Sequence, residues 1–211
     1  MNREGILVVL SGFAGTGKGS VVKGLMERYE QYALSVSMTT RQPRPGEEEG
    51  ISYFFVDRER FEEEIENGGL IEYASYCDNY YGTPKKYVQQ QLKEGRDVIL
   101  EIEIQGALKV KEQFPTALLL FIVPPSAAEL KRRLVSRGTE TPEVVEKRMR
   151  RAAKEAEGIG EYDYIIVNDS LEDCIRKTHE VINAARLAPA RNEAFIKGIR
   201  NELDGMTGNK E

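Results

Sequence analysis

Between Gly12 and Ser20 the chain reads GFAGTGKGS, a GxxxxGK spacing in which Gly12, Gly15 and Gly17 precede Lys18. Glycines at these intervals let the backbone turn with its amide N–H groups pointing inward. A lysine opening the following helix adds a fixed cation where the helix already presents unpaired N–H groups. Such a hollow holds a chain of phosphates, and Phe13, Ala14, Thr16, Gly19 and Ser20 complete the candidate phosphate-binding set. The dinucleotide spacing GxGxxG is not met, because Gly15-Thr16-Gly17 is followed by Lys18-Gly19-Ser20.

A second group of candidate residues is cationic. Arg41 and Arg44 stand three apart in a loop constrained by Pro43 and Pro45, and each guanidinium can fork two N–H donors onto a phosphate. The hydroxyls of Tyr53 and Tyr81 add neutral donors, which together make a phosphomonoester clamp. Further along, Arg133 and Arg137 are i and i+4, and Arg148 and Arg151 are i and i+3, so each pair projects from one face of a helix. Glutamates at 140, 143 and 146 offer these arginines a plain alternative, a solvated and charge-balanced helix face.

Other chemistries are excluded by composition. The single histidine, His179, rules against a Ser-His-Asp site or a histidine-rich metal site and is read as a surface or packing residue. Cys77 and Cys174 lie far apart, in no CxxC or metal-like spacing, as expected of thiols in a reducing compartment. Net charge is −5, so no general attraction to nucleic acid or anionic membrane is expected. The longest apolar runs, Ala117 to Val123 and Ile6 to Leu10, are too short to span a bilayer. A cytoplasmic protein, monomeric or homodimeric, follows.

The elements that must position these groups alternate. Ile6 to Leu10 has the β-branched content of a buried strand, and Val21, Val22, Leu25, Met26 and Tyr29 place an amphipathic helix over about 18–29. Residues 35–56 predict two short strands around a Pro- and Gly-rich loop. Asp57 caps a helix that Asn67-Gly68-Gly69 stops, and strands follow at 70–76 and 79–82. Thr83 as cap with Pro84 at the first position predicts a helix to Glu94, then a strand at 98–102 and a helix at 106–113. A strand over 117–123 ends at Pro124-Pro125. Ser126 with Glu129 makes a capping box, Thr141-Pro142 opens a basic helix, 164–167 is a last strand, and Asn168-Asp169-Ser170 caps a long helix. Phe195, Ile199 and Leu203 support a weak terminal helix. The pattern predicts one α/β protein, a three-layer doubly wound parallel sheet with nucleotide at the carboxyl ends of its strands. The core is expected at 1–36 and 84–188 with a helical lid at 137–151. An inserted α+β module is expected at 37–83, and a C-terminal extension at 189–211.

The motifs SVSMTTRQPRPGE from Ser35, then Gly50 and Tyr53, NYYGT from Asn79 to Thr83, Glu101 to Gly106, and Arg133-x-x-x-Arg137-Gly138 resemble guanylate kinase over about 5–188. The resemblance implies a P-loop nucleoside monophosphate kinase that transfers a phosphoryl group from ATP to GMP, and to dGMP, with Mg²⁺. It implies that Arg41, Arg44, Tyr53 and Tyr81 hold the GMP phosphate, while Ser37, Glu72, Thr83 and Glu103 surround the guanine, with Glu101 also on the GMP side. Guanine presents N1–H and an amine as donors and O6 as acceptor, so a carboxylate with hydroxyls is its complement. Lys18, Arg41, Arg137 and Arg148 are the implied catalytic cations, with Arg133, Arg137 and Asn168 on the ATP side. No protein general base is required, because the attacking GMP phosphate is already anionic at neutral pH.

Departures from the family pattern are specific. Gly19 stands where GxxxxGK[ST] has a metal-binding hydroxyl, so Mg²⁺ is left to phosphate oxygens, water and Glu101. Phe13-Ala14 replaces Pro-Ser, and Glu103 replaces the usual Asp. Two rival readings exist: a non-catalytic, peptide-binding relative, and a kinase acting on a ribose phosphate. The intact loop argues against the first and the guanine-side residues against the second, while the absence of an NKxD motif argues against a GTPase.

Overall fold

The computed structural model describes residues 4–76, 78–136 and 141–207. Strand β1 (Leu7–Gly12) is apolar almost to its end, and the pleat sends its alternate side chains into two cores. Leu7 and Val9 enter one, and Ile6, Val8 and Leu10 the other. Helix α1 (Lys18–Arg28) follows the glycine loop and buries Val21, Val22 and Leu25.

β1 lies at the centre of a five-stranded, wholly parallel sheet in the order β2-β7-β1-β8-β9, formed by β2 (Tyr32–Leu34), β7 (Asp97–Glu101), β8 (Leu118–Val123) and β9 (Tyr164–Val167). One face is covered by α1 and α7 (Leu171–Ala185), whose Cys174, Ile175 and Ile182 are buried beneath it. The other is covered by α3 (Lys85–Lys93), α4 (Ile104–Gln113), α5 (Ala127–Ser136) and α6 (Pro142–Ala156), through Val88, Val110, Leu130, Leu134 and Val145. The expected three layers are present.

A second sheet, ordered β4-β3-β6-β5, stands beside the first and consists of β3 (Met38–Thr39), β4 (Phe54–Phe55), β5 (Leu70–Tyr76) and β6 (Asn79–Pro84). Helix α2 (Arg58–Glu66) packs Phe61 on Tyr80, ring centroids 5.1 Å apart, and Asp57 caps it by accepting the Arg60 N–H at 2.8 Å. Helix α8 (Glu193–Thr207) has no buried residue. No helix among the described residues is long and apolar enough to cross a membrane.

Four local expectations change. The two strands expected within 35–56 form as β3 and β4, and an unexpected strand, β2, precedes them, because pairing with Asp97–Ile99 buries a stretch too short to show periodicity. Thr83 and Pro84 end strand β6, and the helix cap falls one residue later than expected, at Pro84. α3 starts at Lys85, whose N–H donates to Gly69 O at 2.8 Å, and the Thr83 hydroxyl turns elsewhere. The capping box is half made: Ser126 Oγ accepts from Glu129 N–H at 3.1 Å, but the Glu129 carboxylate goes to Arg132 and Arg133. Ser170 stands at the N-cap of α7 without a side-chain bond.

His179 is a packing residue, as expected. It stacks on Tyr29 at 3.6 Å, and its Nδ1 lies 2.7 Å from the Tyr32 hydroxyl. The two helices on that face touch at Gly24, where a Cβ would stand 2.2 Å from Ile175 Cδ1. Gly24→Val is therefore expected to lower the unfolding free energy by about 2 kcal/mol through overpacking, read from the midpoint of urea denaturation.

Candidate active site

The glycine loop is held in shape by its own bonds. Gly15 and Gly17 take left-handed φ values of 91° and 85°, which side chains resist, and the turn lets Thr16 Oγ1 donate to Phe13 O at 2.9 Å. Phe13 anchors the loop edge-on against Phe121, 5.1 Å between centroids. Lys18 folds back across the hollow, its Nζ donating to Gly12 O at 2.5 Å and to Phe13 O at 3.3 Å. The ammonium thus stands on the loop carbonyls, at the mouth of the ring of amides.

Asn168 has a structural duty that the sequence did not show. Its side chain is buried, and Nδ2 donates to Thr16 O at 2.7 Å, so the carboxamide braces the phosphate loop from the end of β9. Ser11 Oγ likewise donates to Ile102 O at 2.7 Å, tying the end of β1 to the end of β7. The loop and the strand that leads into it are therefore tied to the ends of β9 and β7.

Beside the loop opens a cleft of about 690 Å³, whose walls include Gly12, Lys18, Glu101, Glu103, Arg148 and Arg151. Parallel register brings Glu101 level with Leu10, and its carboxylate lies 3.9 Å from where a Cβ on Gly19 would stand. Of the other α5 and α6 arginines, Arg133 donates its Nε to Glu129 at 2.6 Å. Arg132 and Arg133 together hold the Glu129 carboxyl down at about 2. Arg137 lies outside the described residues.

On the second sheet, Arg41 is gripped by a residue that the sequence pattern did not single out. Its Nη2 reaches both oxygens of Glu47 at 2.8 and 2.9 Å, its Nη1 donates to Gln42 O, and its Cζ lies 5.4 Å from the centre of the Tyr53 ring. The guanidinium also bonds toward Tyr81, whose ring is 6.0 Å from that of Tyr53. Arg41 holds the Glu47 carboxyl below the usual carboxylate range, helped by the Arg44 N–H at 2.8 Å. Arg41, which holds the Glu47 carboxylate, thus has Tyr53 and Tyr81 beside it. The Arg44 side chain stays exposed next to them. The sequence signal for Glu47 is its place directly after Pro45-Gly46, as the last residue of the SVSMTTRQPRPGE motif.

Tyr81 and Thr83 are two apart on β6 and so share a face. Thr83 is buried, and its hydroxyl donates to Glu72 Oε1 at 2.7 Å. Burial pushes the Glu72 carboxyl up, and the Thr83 bond and the Lys109 ammonium oppose it. The other oxygen, Oε2, stands 3.3 Å from where a Cβ on Gly106 would be, so this carboxylate faces the first turn of α4, next to Glu103. Ser37 contributes its carbonyl to Phe54 N–H at 2.8 Å at the start of the same sheet. Arginines and hydroxyls thus gather at one end of the region, and a carboxylate with a hydroxyl at the other.

Residues 4–185 match the family model described as guanylate kinase. The guanylate kinase of Latilactobacillus sakei subsp. sakei (strain 23K) is 47% identical over 192 residues, 90% of this chain and 95% of that protein. That of Oceanobacillus iheyensis is 48% identical over 208 residues, 98% and 100% of the two chains. Among solved structures, the guanylate kinase from Anaplasma phagocytophilum superposes with a TM-score of 0.70 at 34% identity, covering 90% of each chain.

Thr83→Val keeps the shape at β6 and leaves Glu72 without its donor. It is expected to raise the Glu72 pKa further and to cost about 1–3 kcal/mol of stability at neutral pH. Because the loss falls on the charged form, the gap from wild type closes as pH drops through the raised Glu72 pKa. Urea denaturation across the acid range measures it.

Proposed function

This chain belongs to the guanylate kinase family and phosphorylates GMP to GDP with ATP, and we propose that it does so by direct in-line transfer with no protein general base. The observation that carries this mechanism is the cleft itself: Lys18 and the loop amides stand in one wall and cations of α6 in another. Arg41, Tyr53 and Tyr81 form a separate anion site on the neighbouring sheet. One polyphosphate site and one monophosphate site are what a two-nucleotide reaction requires.

In this reading Lys18 leaves the carbonyls of Gly12 and Phe13 for the β and γ phosphates of ATP, and the amides of residues 13–20 follow the chain of oxygens. Arg133, together with Arg137 and Arg148 from a lid spanning 137–151, neutralises charge on the transferring group as the lid excludes water. GMP replaces Glu47 as the principal partner of Arg41, with Arg44, Tyr53 and Tyr81 as further donors to its phosphate. Ser37, Glu72, Thr83 and Glu103 read the guanine edge, and dGMP is accepted because none of these groups needs the 2′-hydroxyl. The core is placed at 1–36 and 84–188 and the acceptor module at 37–83. The reaction is placed in the cytoplasm.

The donor set beside the loop suits Mg²⁺ that keeps most of its water. Position 19 offers no hydroxyl, Glu101 offers one carboxylate close by, and no cluster of three or more His, Cys, Asp or Glu ligands exists among the described residues. Bound with ATP and supported by Glu101, Mg²⁺ would neutralise phosphate charge.

Two substitutions separate the donor and acceptor roles. Lys18→Ala is expected to lower kcat by about 10²–10³ while leaving the KM for GMP within a few-fold. Arg41→Ala is expected to raise the KM for GMP by about 10- to 100-fold with a smaller change in the KM for ATP. A coupled assay of ADP formation reads both. An unchanged kcat in the first, or a selective loss of ATP binding in the second, would reverse the assignment.

A further inference from the structure

Arg151 joins two parts of the cleft. Its Nη2 lies 2.5 Å from Glu103 Oε2 and its Nε donates to Glu155 Oε1 at 2.8 Å, so one guanidinium bridges a carboxylate on its own helix and one on the core. Its neighbour Arg150 differs in kind, pairing with Glu146 within the helix. Glu103 is free to be shared. It is the N-cap residue of α4 yet makes no side-chain capping bond, and most of its side chain is exposed in the cleft. Helix α6 turns Val144, Lys147, Arg148, Arg151 and Glu155 toward that cleft, at the three- and four-residue spacings of one helical face.

We propose that Arg151 is a positioning residue that carries occupancy of the guanine pocket to the ATP side, by exchanging Glu103 between its own guanidinium and the guanine. The proposal rests on the reading above, in which Glu103 faces the base. A guanine amine or N1–H donor and the Arg151 guanidinium ask for the same carboxylate oxygens. When GMP takes them, Arg151 keeps Glu155 as its resting partner but loses its tie to the core. Arg151 and its helix neighbour Arg148 then lie along the wall that meets the phosphates of ATP, with one less carboxylate opposing them. An Asp at 103 would be shorter by a methylene, so the length of the Glu side chain is what lets it span from the first turn of α4 to α6.

An exposed ion pair has a modest worth, which bounds the effect: GMP should tighten ATP binding about three- to fivefold through this exchange. Calorimetric titration with GMP alone, and with a non-hydrolysable ATP analogue plus Mg²⁺ in the presence and absence of GMP, measures it directly. In Arg151→Gln, GMP alone is expected to bind about threefold tighter, since it no longer competes for Glu103, and its effect on the ATP analogue is expected to shrink to near onefold. Arg151→Lys should retain part of the coupling. In a Glu103→Gln background, Arg151→Gln should change the coupling no further, which a merely structural role of Arg151 would not produce. Coupling that survives Arg151→Gln, or GMP binding that is unchanged or weakened by it, would overturn the proposal. Wild-type protein that ignores GMP would overturn the guanine reading on which it stands, a result distinct from either.

Discussion

The parallel pairing of β1 with β7 on one side and β8 on the other decides where every charged group of the cleft can stand. Register sets Leu10 level with Glu101 and Gly12 level with Ile122, so three strands end along one line. The glycine loop leaves from the middle strand, and Glu101 and Glu103 leave from its neighbour. A slip of one residue in this register would turn the Leu7 and Val9 set toward the opposite core and carry the loop out of reach of its supports. Chemistry at the strand ends is thus secured by apolar packing far beneath it.

From that line the polar supports radiate inward. Asn168 holds Thr16, and Ser11 holds the carbonyl of Ile102, so the loop is braced from β9 and β7 alike. These bonds fix the backbone of the loop and of the strand that leads into it. Lys18 stands on carbonyls and Arg41 on Glu47, so in the proposed reading each cation has a partner that a phosphate would replace. Glu72 is the inverse case, a carboxylate pushed upward by burial and restrained by Thr83.

Much of this was legible in the residues themselves. The loop spacing, the Asp57 cap, the start of α6 at Pro142 and the apolar strands are local signals, and the structure follows them. What was not legible depended on partners distant in the chain. The strand character of Tyr32–Leu34 comes from pairing with β7, some 65 residues on. Thr83-Pro84 reads as a helix start until the Glu72 carboxylate claims the hydroxyl, and proline fits the strand end as well because it lacks an N–H in either place. The bond from Asn168 to the Thr16 carbonyl, 152 residues away, likewise has no local signature. The Glu103–Arg151 pair joins residues 48 positions apart and has no local signature at all.

The central claim is that the two ends of this region read two different nucleotides, and the acceptor end is tested most directly by a panel of monophosphates. With ATP and Mg²⁺ fixed, kcat/KM for ADP formation is measured with GMP, dGMP, IMP, AMP and UMP. Carboxylates and hydroxyls arranged for guanine predict that GMP and dGMP lead, that IMP falls behind for want of the amine, and that AMP and UMP trail by about 10⁴ or more. Comparable values for GMP and AMP would contradict the account, because Glu72, Thr83 and Glu103 would then have no base to read.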